Sequence, residues 1–433
     1  MLATPLYLTK RRSRAARWLR PARSPASRTG HPPGSPWRAS DMTAPDPAKP
    51  RQTPLRAVHE RLGASMTEFA GWLMPLRYRS ETAEHQAVRG HAGLFDLSHM
   101  GEIIVAGPGA AAALDYALVG QPSSMAPGRA RYTMICAADG GVLDDLIVYR
   151  LADQEFLVVA NAANTGVVDS ALRERADGHD AQITDQTDAY ALIAIQGPAA
   201  AAILGPLTDI ALDGVKYYTS HRGTVAGREI LLARTGYTGE DGFELFSQPE
   251  DAEHIWTTLS GAGSGAGLVP AGLAARDTLR LEAGMPLYGN ELGPDTTPFD
   301  AGLGRVVKLD KPGDFVGRAA LTAAAQAPPR RVLVGLRSST RRVPRHGYPV
   351  LWDGQPHGTV TSGAPSPTLG VPIAMAYVEP EVAAAAGNGD AGSSDGDAGP
   401  SDGDAADGRL AIDIRGRAEP AQMTPLPFYR RTK

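Results

Sequence analysis

Two adjacent carboxylates, Asp144 and Asp145, follow a glycine turn in the run Gly140–Tyr149 and stand at the mouth of an apolar strand. Successive side chains on a strand point to opposite faces, so with one face of the sheet covered the two cannot both meet solvent. One carboxylate is therefore expected to face a cavity. Partial loss of water there demands a hydrogen-bond partner, and a bound ligand with N–H groups supplies one. The plainer reading of the same residues is a pair of turn-capping aspartates, a residue type that turns favour.

Three further segments place polar residues where packing does not demand them. In Gly236–Leu245 three glycines permit tight backbone and close ligand approach, and Tyr237 and Glu244 bracket the turn in a way that suits a planar heterocycle. An ordinary hairpin is the plain alternative. In Ala274–Gly284, Arg276 and Arg280 share a helix face with Asp277 and Glu282 nearby, which also describes a salt-bridged surface helix. In Ser98-His99-Met100-Gly101-Glu102 a single histidine follows an apolar stretch, the usual setting of a satisfied structural histidine.

The elements that would position these residues mix strands with helices. Tyr132–Cys136 and Leu146–Leu151 flank Ala138-Asp139-Gly140-Gly141, a hairpin signal, and Phe156–Ala160 reads as the next strand. A helix is expected over Val167–Arg175 and a strand over Ala191–Ile195; Pro198 then opens a helix that Gly205 stops. Arg228–Arg234 and Glu244–Phe246 read as a strand pair, Asp251–Leu259 as a helix, and Leu273–Ala283 as a helix that Gly284 ends. From about Arg331 onward strand and turn dominate, with Thr322–Arg330 as the junction. The pattern is α+β followed by a small all-β domain.

Composition removes several classes of function. The 433 residues carry a formal net charge of -4, which argues against nucleic acid as partner. The single cysteine, Cys136, excludes an internal disulfide framework and any multi-cysteine metal site, fits a reducing compartment, and sits in an apolar stretch as a buried inert thiol. No apolar run approaches the roughly 20 residues of a spanning helix, so no membrane partner is expected. Gly261–Gly267 follows a helix and lacks the lysine of a phosphate-binding loop. The histidines show no zinc-hydrolase spacing, and no serine-esterase elbow occurs.

Two stretches depart from a packed pattern. Residues 1–40 hold nine Lys or Arg and no acid, and Met42 is an alternative start followed by a second leader to about Gln52. We read 1–52 as a disordered basic extension. Such composition also fits a transit peptide, although five prolines between Pro21 and Pro36 would break a targeting helix. Residues 387–408, with six aspartates and no large apolar side chain, read as a disordered acidic loop expanding a hairpin tip between strands at Ile373–Val378 and Leu410–Ile414.

Taken in order, Phe69-Ala70-Gly71-Trp72, Leu94–Met100, Gly140–Leu146, Ile195-Gln196-Gly197-Pro198, Gly236–Glu244, Ala274–Gly284 with Tyr288-Gly289-Asn290, and Gly358–Gly363 resemble the aminomethyltransferases, the T-proteins of the glycine cleavage system. The resemblance runs from about Thr53 to Lys433; the extension and the acidic insert depart from the family pattern without removing a motif residue. It implies a three-domain cloverleaf α+β fold: two α+β subdomains over 53–326 and a C-terminal β-barrel over 327–433. It also implies a central folate site formed by Met100, Tyr132, Asp145, Asn161, Tyr237, Glu244, Arg276 and Tyr429, with Asp145 beside the pterin N5 as catalytic residue and no metal. Glu244 would take two pterin N–H bonds, Arg276 would pair with a pterin oxygen or a folate carboxylate, and Tyr237 would pack on the ring.

The implied activity is tetrahydrofolate-dependent. The methylene of an aminomethyl group on the dihydrolipoyl arm of H-protein passes to tetrahydrofolate, giving 5,10-methylenetetrahydrofolate and ammonia. Partners would be the lipoylated H-protein, docked through a basic surface, and functionally the glycine decarboxylase (P-protein) and dihydrolipoyl dehydrogenase (L-protein). The expected location is the bacterial cytoplasm, or the mitochondrial matrix if residues 1–41 are a transit peptide. Two rival classes share the fold: folate-binding paralogues without transferase activity, and folate-dependent demethylases. No dinucleotide-binding fingerprint precedes the domain, which disfavours an autonomous flavin oxidase.

Overall fold

A five-stranded antiparallel sheet holds the carboxylate pair, and its strand order is Ala130–Cys136, Val142–Ala152, Glu155–Ala160, Gly101–Ala106, Gln182–Asp185. The computed structural model describes residues 49–387 and 409–432. Val142–Ala152 is buried at alternate positions, as a half-covered strand must be. Leu146 and Val148 enter a core with Ile103, Phe156, Val158 and Leu172, beneath helices Ala110–Ala117 and Thr165–Arg175. Asp144 shares their parity; Asp145, Ile147 and Tyr149 take the opposite face.

A second, six-stranded sheet runs Ser220–Val225, Arg228–Ala233, Gly242–Ser247, Ala191–Gln196, Ala92–Asp96, Leu268–Pro270. Phe243 and Leu245 enter its core with Leu94, Ile193, Leu232 and Trp256, which leaves Glu244 on the other face. Residues Arg129 and Thr219 form a β-bridge between segments that lead into the two sheets. A small sheet of Arg51–Gln52, Trp72–Arg77 and Ser65–Phe69 lies near the start of the described chain.

The C-terminal strands close a barrel in the order Val332–Ser338, Pro372–Val378, Gln355–Pro365, Pro349–Trp352, Leu410–Asp413, Ala418–Thr424. All seven residues of Pro372–Val378 are buried because two partners divide them. Ala374, Ala376 and Val378 fill the barrel, while Ile373 and Met375 pack on Leu281 of helix Leu273–Glu282. That helix is tied to the barrel through Glu282, which accepts hydrogen bonds from Ser366 and Thr368 and meets His85 at 3.0 Å and Arg89 at 3.0 Å.

Several expectations are corrected. The strand bearing the carboxylates starts at Val142, whose amide bonds to the carbonyls of Gly293 and Thr296, so Asp144 and Asp145 lie inside the ladder and cap no turn. Arg51 and Gln52 are not part of a disordered extension; they pair with Trp72 and Leu73, and the Arg51 guanidinium stacks 3.9 Å from the Trp72 ring centre. The segment after Arg331 contains a helix, Pro380–Gly387, and the expected junction is half occupied by helix Arg318–Gln326. Strands Pro372–Val378 and Leu410–Asp413 do not form one hairpin, because each pairs with other strands of the closed barrel. Residues 1–48 and 388–408, with the expectations placed on them, lie outside the described residues. Among the described residues no helix is long and apolar enough to cross a membrane.

Candidate active site

The chamber faces of the two large sheets meet a cavity of about 330 Å³. Met100, Tyr132, Asp145, Asn161, Tyr237, Glu244 and Arg276 all line it. A wider vestibule of about 540 Å³ adjoins it, and Met100, Asn161, Tyr237 and Arg276 line both. Volumes of this order suit a small heterocycle with a polar extension.

Asp145 stands on the chamber face of its strand with both carboxylate oxygens held. Tyr132 OH donates to Oδ2 at 3.1 Å and Asn161 Nδ2 donates to Oδ1 at 2.8 Å. Burial pushes its carboxyl up to about 6, although those two hydrogen bonds pull the other way. Asp144, on the core side, is fully buried. Burial and the neighbouring Asp145 charge push it up to about 7, against the amides of Asn164 and Asn161.

Glu244 comes from the other sheet. Its Oε2 accepts from Tyr149 OH at 3.3 Å and from Thr235 Oγ1, and Tyr149 and Thr235 meet at 3.1 Å. One oxygen is thus anchored, and the carboxylate presents its remaining acceptor capacity to the cavity. The loop carrying Tyr237 is pinned through Gln196: its Nε2 donates to the Thr235 carbonyl at 3.1 Å and its Oε1 accepts from Thr238 Oγ1 at 2.9 Å. Gly236 is required there, since a Cβ would come within 2.1 Å of Gln196 Oε1. Tyr237 OH donates to the Pro286 carbonyl.

Helix Leu273–Glu282 is no surface helix. Arg280 is buried and bonds Glu291 at 3.1 Å, Asp277 at 2.8 Å and Ser362 at 2.8 Å. One turn earlier, Arg276 lies over the Tyr237 ring, and its guanidinium has no hydrogen bond or ion pair among the described residues. Burial pushes it below the ordinary arginine value, opposed by the Glu244 charge. Five donors are therefore free for a ligand.

Tyr429 is the expected residue that the structure does not bring to this cavity. Its ring lies 4.0 Å beneath the Arg89 guanidinium, and its amide donates to the Glu282 carbonyl at 2.8 Å. Arg89 also binds Glu240 at 2.8 Å and the Thr238 carbonyl at 2.7 Å, so Tyr429 buttresses the loop that presents Tyr237. His99 differs from the expected satisfied residue: it is buried at the vestibule wall with Nδ1 unpartnered among the described residues. Burial, and then the Arg276 charge, push it down to about 4. Cys136 is buried as expected, its thiol raised by that burial to about 12.

Residues that the sequence reading missed also build the chamber. Tyr149 shares strand parity with Asp145, a signal legible once the strand is placed. Tyr218 lines the cavity and is a non-glycine residue at φ 55°, which no sequence pattern announces.

Comparison with known proteins follows the same division of the chain. Residues 55–311 match the family model described as the GCVT N-terminal domain, and residues 331–430 match the glycine cleavage T-protein C-terminal barrel domain. The chain is 63% identical over 387 residues to an aminomethyltransferase of Streptomyces avermitilis, covering 89% of this chain and 99% of the relative. It is 60% identical over 385 residues to an aminomethyltransferase of Saccharopolyspora erythraea, again covering 89% and 99%. The crystal structure of glycine cleavage system aminomethyltransferase T from Bartonella henselae superposes with a TM-score of 0.78 at 35% identity, over 88% of this chain and 99% of that one.

Proposed function

The chain belongs to the aminomethyltransferase, or T-protein, family of the glycine cleavage system, and from that premise we propose how its chamber performs the transfer. It is an aminomethyltransferase: the methylene of an aminomethyl group leaves a dihydrolipoyl carrier for tetrahydrofolate and ammonia is released. Tetrahydrofolate, when bound, supplies the nucleophilic nitrogen that takes the methylene.

The residues present fit that co-substrate. A reduced pterin offers several N–H donors on one edge and a ring face, and its glutamyl end is anionic. The chamber supplies a carboxylate anchored by Tyr149 and Thr235 at Glu244, the Tyr237 face, a second carboxylate at Asp145, and an unpaired guanidinium at Arg276. Glu244 would hold pterin N–H groups, Tyr237 would pack on the ring, and Arg276 would take a ligand oxygen. The single observation that carries this assignment is the Asp145 carboxylate: it faces the cavity with both oxygens fixed by Tyr132 and Asn161.

Asp145 then does three things. It orients an N–H of the nucleophile, accepts or shares its proton, and opposes positive charge developing at the transferred carbon. Because Tyr132 and Asn161 already hold the carboxylate, little reorganisation is left for the reaction. Positioning supplies more than proton affinity here.

The methylene donor in this proposal is the lipoylated H-protein, docked by charge complementarity, and the system's P-protein and L-protein act before and after it. Transfer rates that fall as salt rises would support that docking. We assign residues 53–326 to the folate-binding region and 327–433 to the barrel domain, and place the enzyme in the bacterial cytoplasm. Isothermal titration with tetrahydrofolate tests the binding assignment: wild type should bind and Glu244→Gln should bind at least about tenfold more weakly. Equal affinities would remove Glu244 from the site.

A further inference from the structure

Asp144 lies outside the cavity, and core packing gives no reason for a carboxylate there. It shares its sheet face with Leu146 and Val148 and is fully shielded from solvent. An ionised group in that position costs several kcal/mol unless each lone pair is used. Asp144 accepts from the Asn161 amide N at 2.9 Å, from Asn161 Nδ2 at 2.8 Å and from Asn164 Nδ2 at 2.7 Å.

The side-chain amide of Asn161 connects the two faces of the strand. Its Nδ2 has two protons; one goes to Asp144 Oδ1 and the other to Asp145 Oδ1, each at 2.8 Å. Both neighbours are acceptors, so an amide turned the other way would set oxygen against two carboxylates. With Nδ2 committed, Asn161 Oδ1 has no hydrogen-bond partner among the described residues, and Asn161 lines both the chamber and the vestibule.

We propose that Asp144 is a positioning residue for the transfer: from the core side it fixes the Asn161 amide, so that Nδ2 holds the Asp145 carboxylate in place and Oδ1 stands at the cavity wall as acceptor for a ligand N–H. The inference rests on reading the chamber as the tetrahydrofolate site. It accounts for the adjacent carboxylates as one device, in which the outer group meets ligand and the inner one sets its geometry. The other titratable groups facing the pair are the phenols of Tyr132, Tyr237 and Tyr288, each raised above its ordinary value by burial, so they stay neutral through the working range.

An amide in place of Asp144 meets three N–H donors with a single acceptor oxygen, so the Asn161 side chain loses its fixing from the core side and is held by Asp145 alone. Asp144→Asn is compared with wild type for tetrahydrofolate affinity and turnover. We expect an affinity within about threefold of wild type and kcat lower by about 10- to 100-fold, since loss of near-attack geometry acts on turnover. An unchanged kcat, or an affinity that falls in step with kcat, overturns the proposal, since loss of packing alone would not lower turnover at constant affinity.

Should Asp144→Asn fail to fold, Asn164→Ala removes one donor to Asp144 without touching the chamber. A fall in kcat of about 3- to 10-fold at constant tetrahydrofolate affinity supports the device, and an unchanged kcat overturns it. A wild type without transfer activity would be the failure of the underlying reading, whereas an active wild type beside an equally active Asp144→Asn would be the failure of this inference alone.

Discussion

The guanidinium carbon of Arg276 lies 4.9 Å from the centre of the Tyr237 ring, so the cation and the aromatic face form one wall of the chamber. Lysine cannot reproduce that wall, because its ammonium is a point charge without a planar face or a two-pronged donor edge. Arg276→Lys should weaken tetrahydrofolate binding by about tenfold and Arg276→Ala by about 100-fold, with kcat at saturation reduced less than affinity. Steady-state kinetics over a range of tetrahydrofolate concentrations checks this, and a change confined to kcat would remove Arg276 from binding.

Thr235 and Tyr149 line the cavity and anchor the Glu244 carboxylate there. Thr235→Val keeps the side-chain shape and removes one donor to the carboxylate. It should raise the tetrahydrofolate dissociation constant by about 3- to 10-fold without altering the melting temperature by more than a few degrees. Titration calorimetry beside a thermal melt separates the two effects.

The pH profile follows from the carboxylate pair. Asp145 must be ionised to take a proton, and its value is raised to about 6, so kcat should climb between pH 5 and 7 where an ordinary aspartate would already be flat. Stability runs the other way with pH. Both carboxyls are raised on folding, so their contribution is fully present below about pH 4 and is lost as pH rises through about 6 and about 7. Chemical denaturation across this range should show a slope that Asp145→Asn reduces.

Glu282 behaves oppositely. Burial alone would raise it, but the His85 hydrogen bond and charge, with Ser366 and Arg89, hold it down at about 2. Its contribution is therefore present above about pH 4.5 and lost as pH falls through about 2. Glu282→Gln should destabilise the protein by about 3 kcal/mol at neutral pH, because Arg89 loses one of its two buried carboxylate partners and His85 loses its own. A melting temperature equal to wild type would contradict this.

How far the sequence could be read depended on the range of the forces involved. Strands and helices with a clear period, such as Val142–Ala152 and Leu273–Glu282, were legible, because alternate or 3.6-spaced apolar residues record which face is covered. Ends were not: the carboxylate strand extends to Val142 because distant carbonyls of Gly293 and Thr296 bond its first amide. The burial of Arg280 was hidden because its partners Glu291 and Ser362 are remote in sequence, and local spacing favoured a solvated helix. Seven of the eight site residues reach one cavity, but they were placed by family resemblance; parity alone said only that one of the two aspartates would face inward. The roles of Asn161 and Asn164, and the displacement of Tyr429 to Arg89, depend on loop geometry that no periodicity encodes.

The most direct test of the account is formation of 5,10-methylenetetrahydrofolate and ammonia from aminomethylated H-protein and tetrahydrofolate, with wild type and Asp145→Asn run in parallel and tetrahydrofolate affinity measured for both. Wild type should turn over, the variant should lose about 100-fold or more, and the two affinities should lie within about threefold of each other. Wild-type turnover by Asp145→Asn would contradict it.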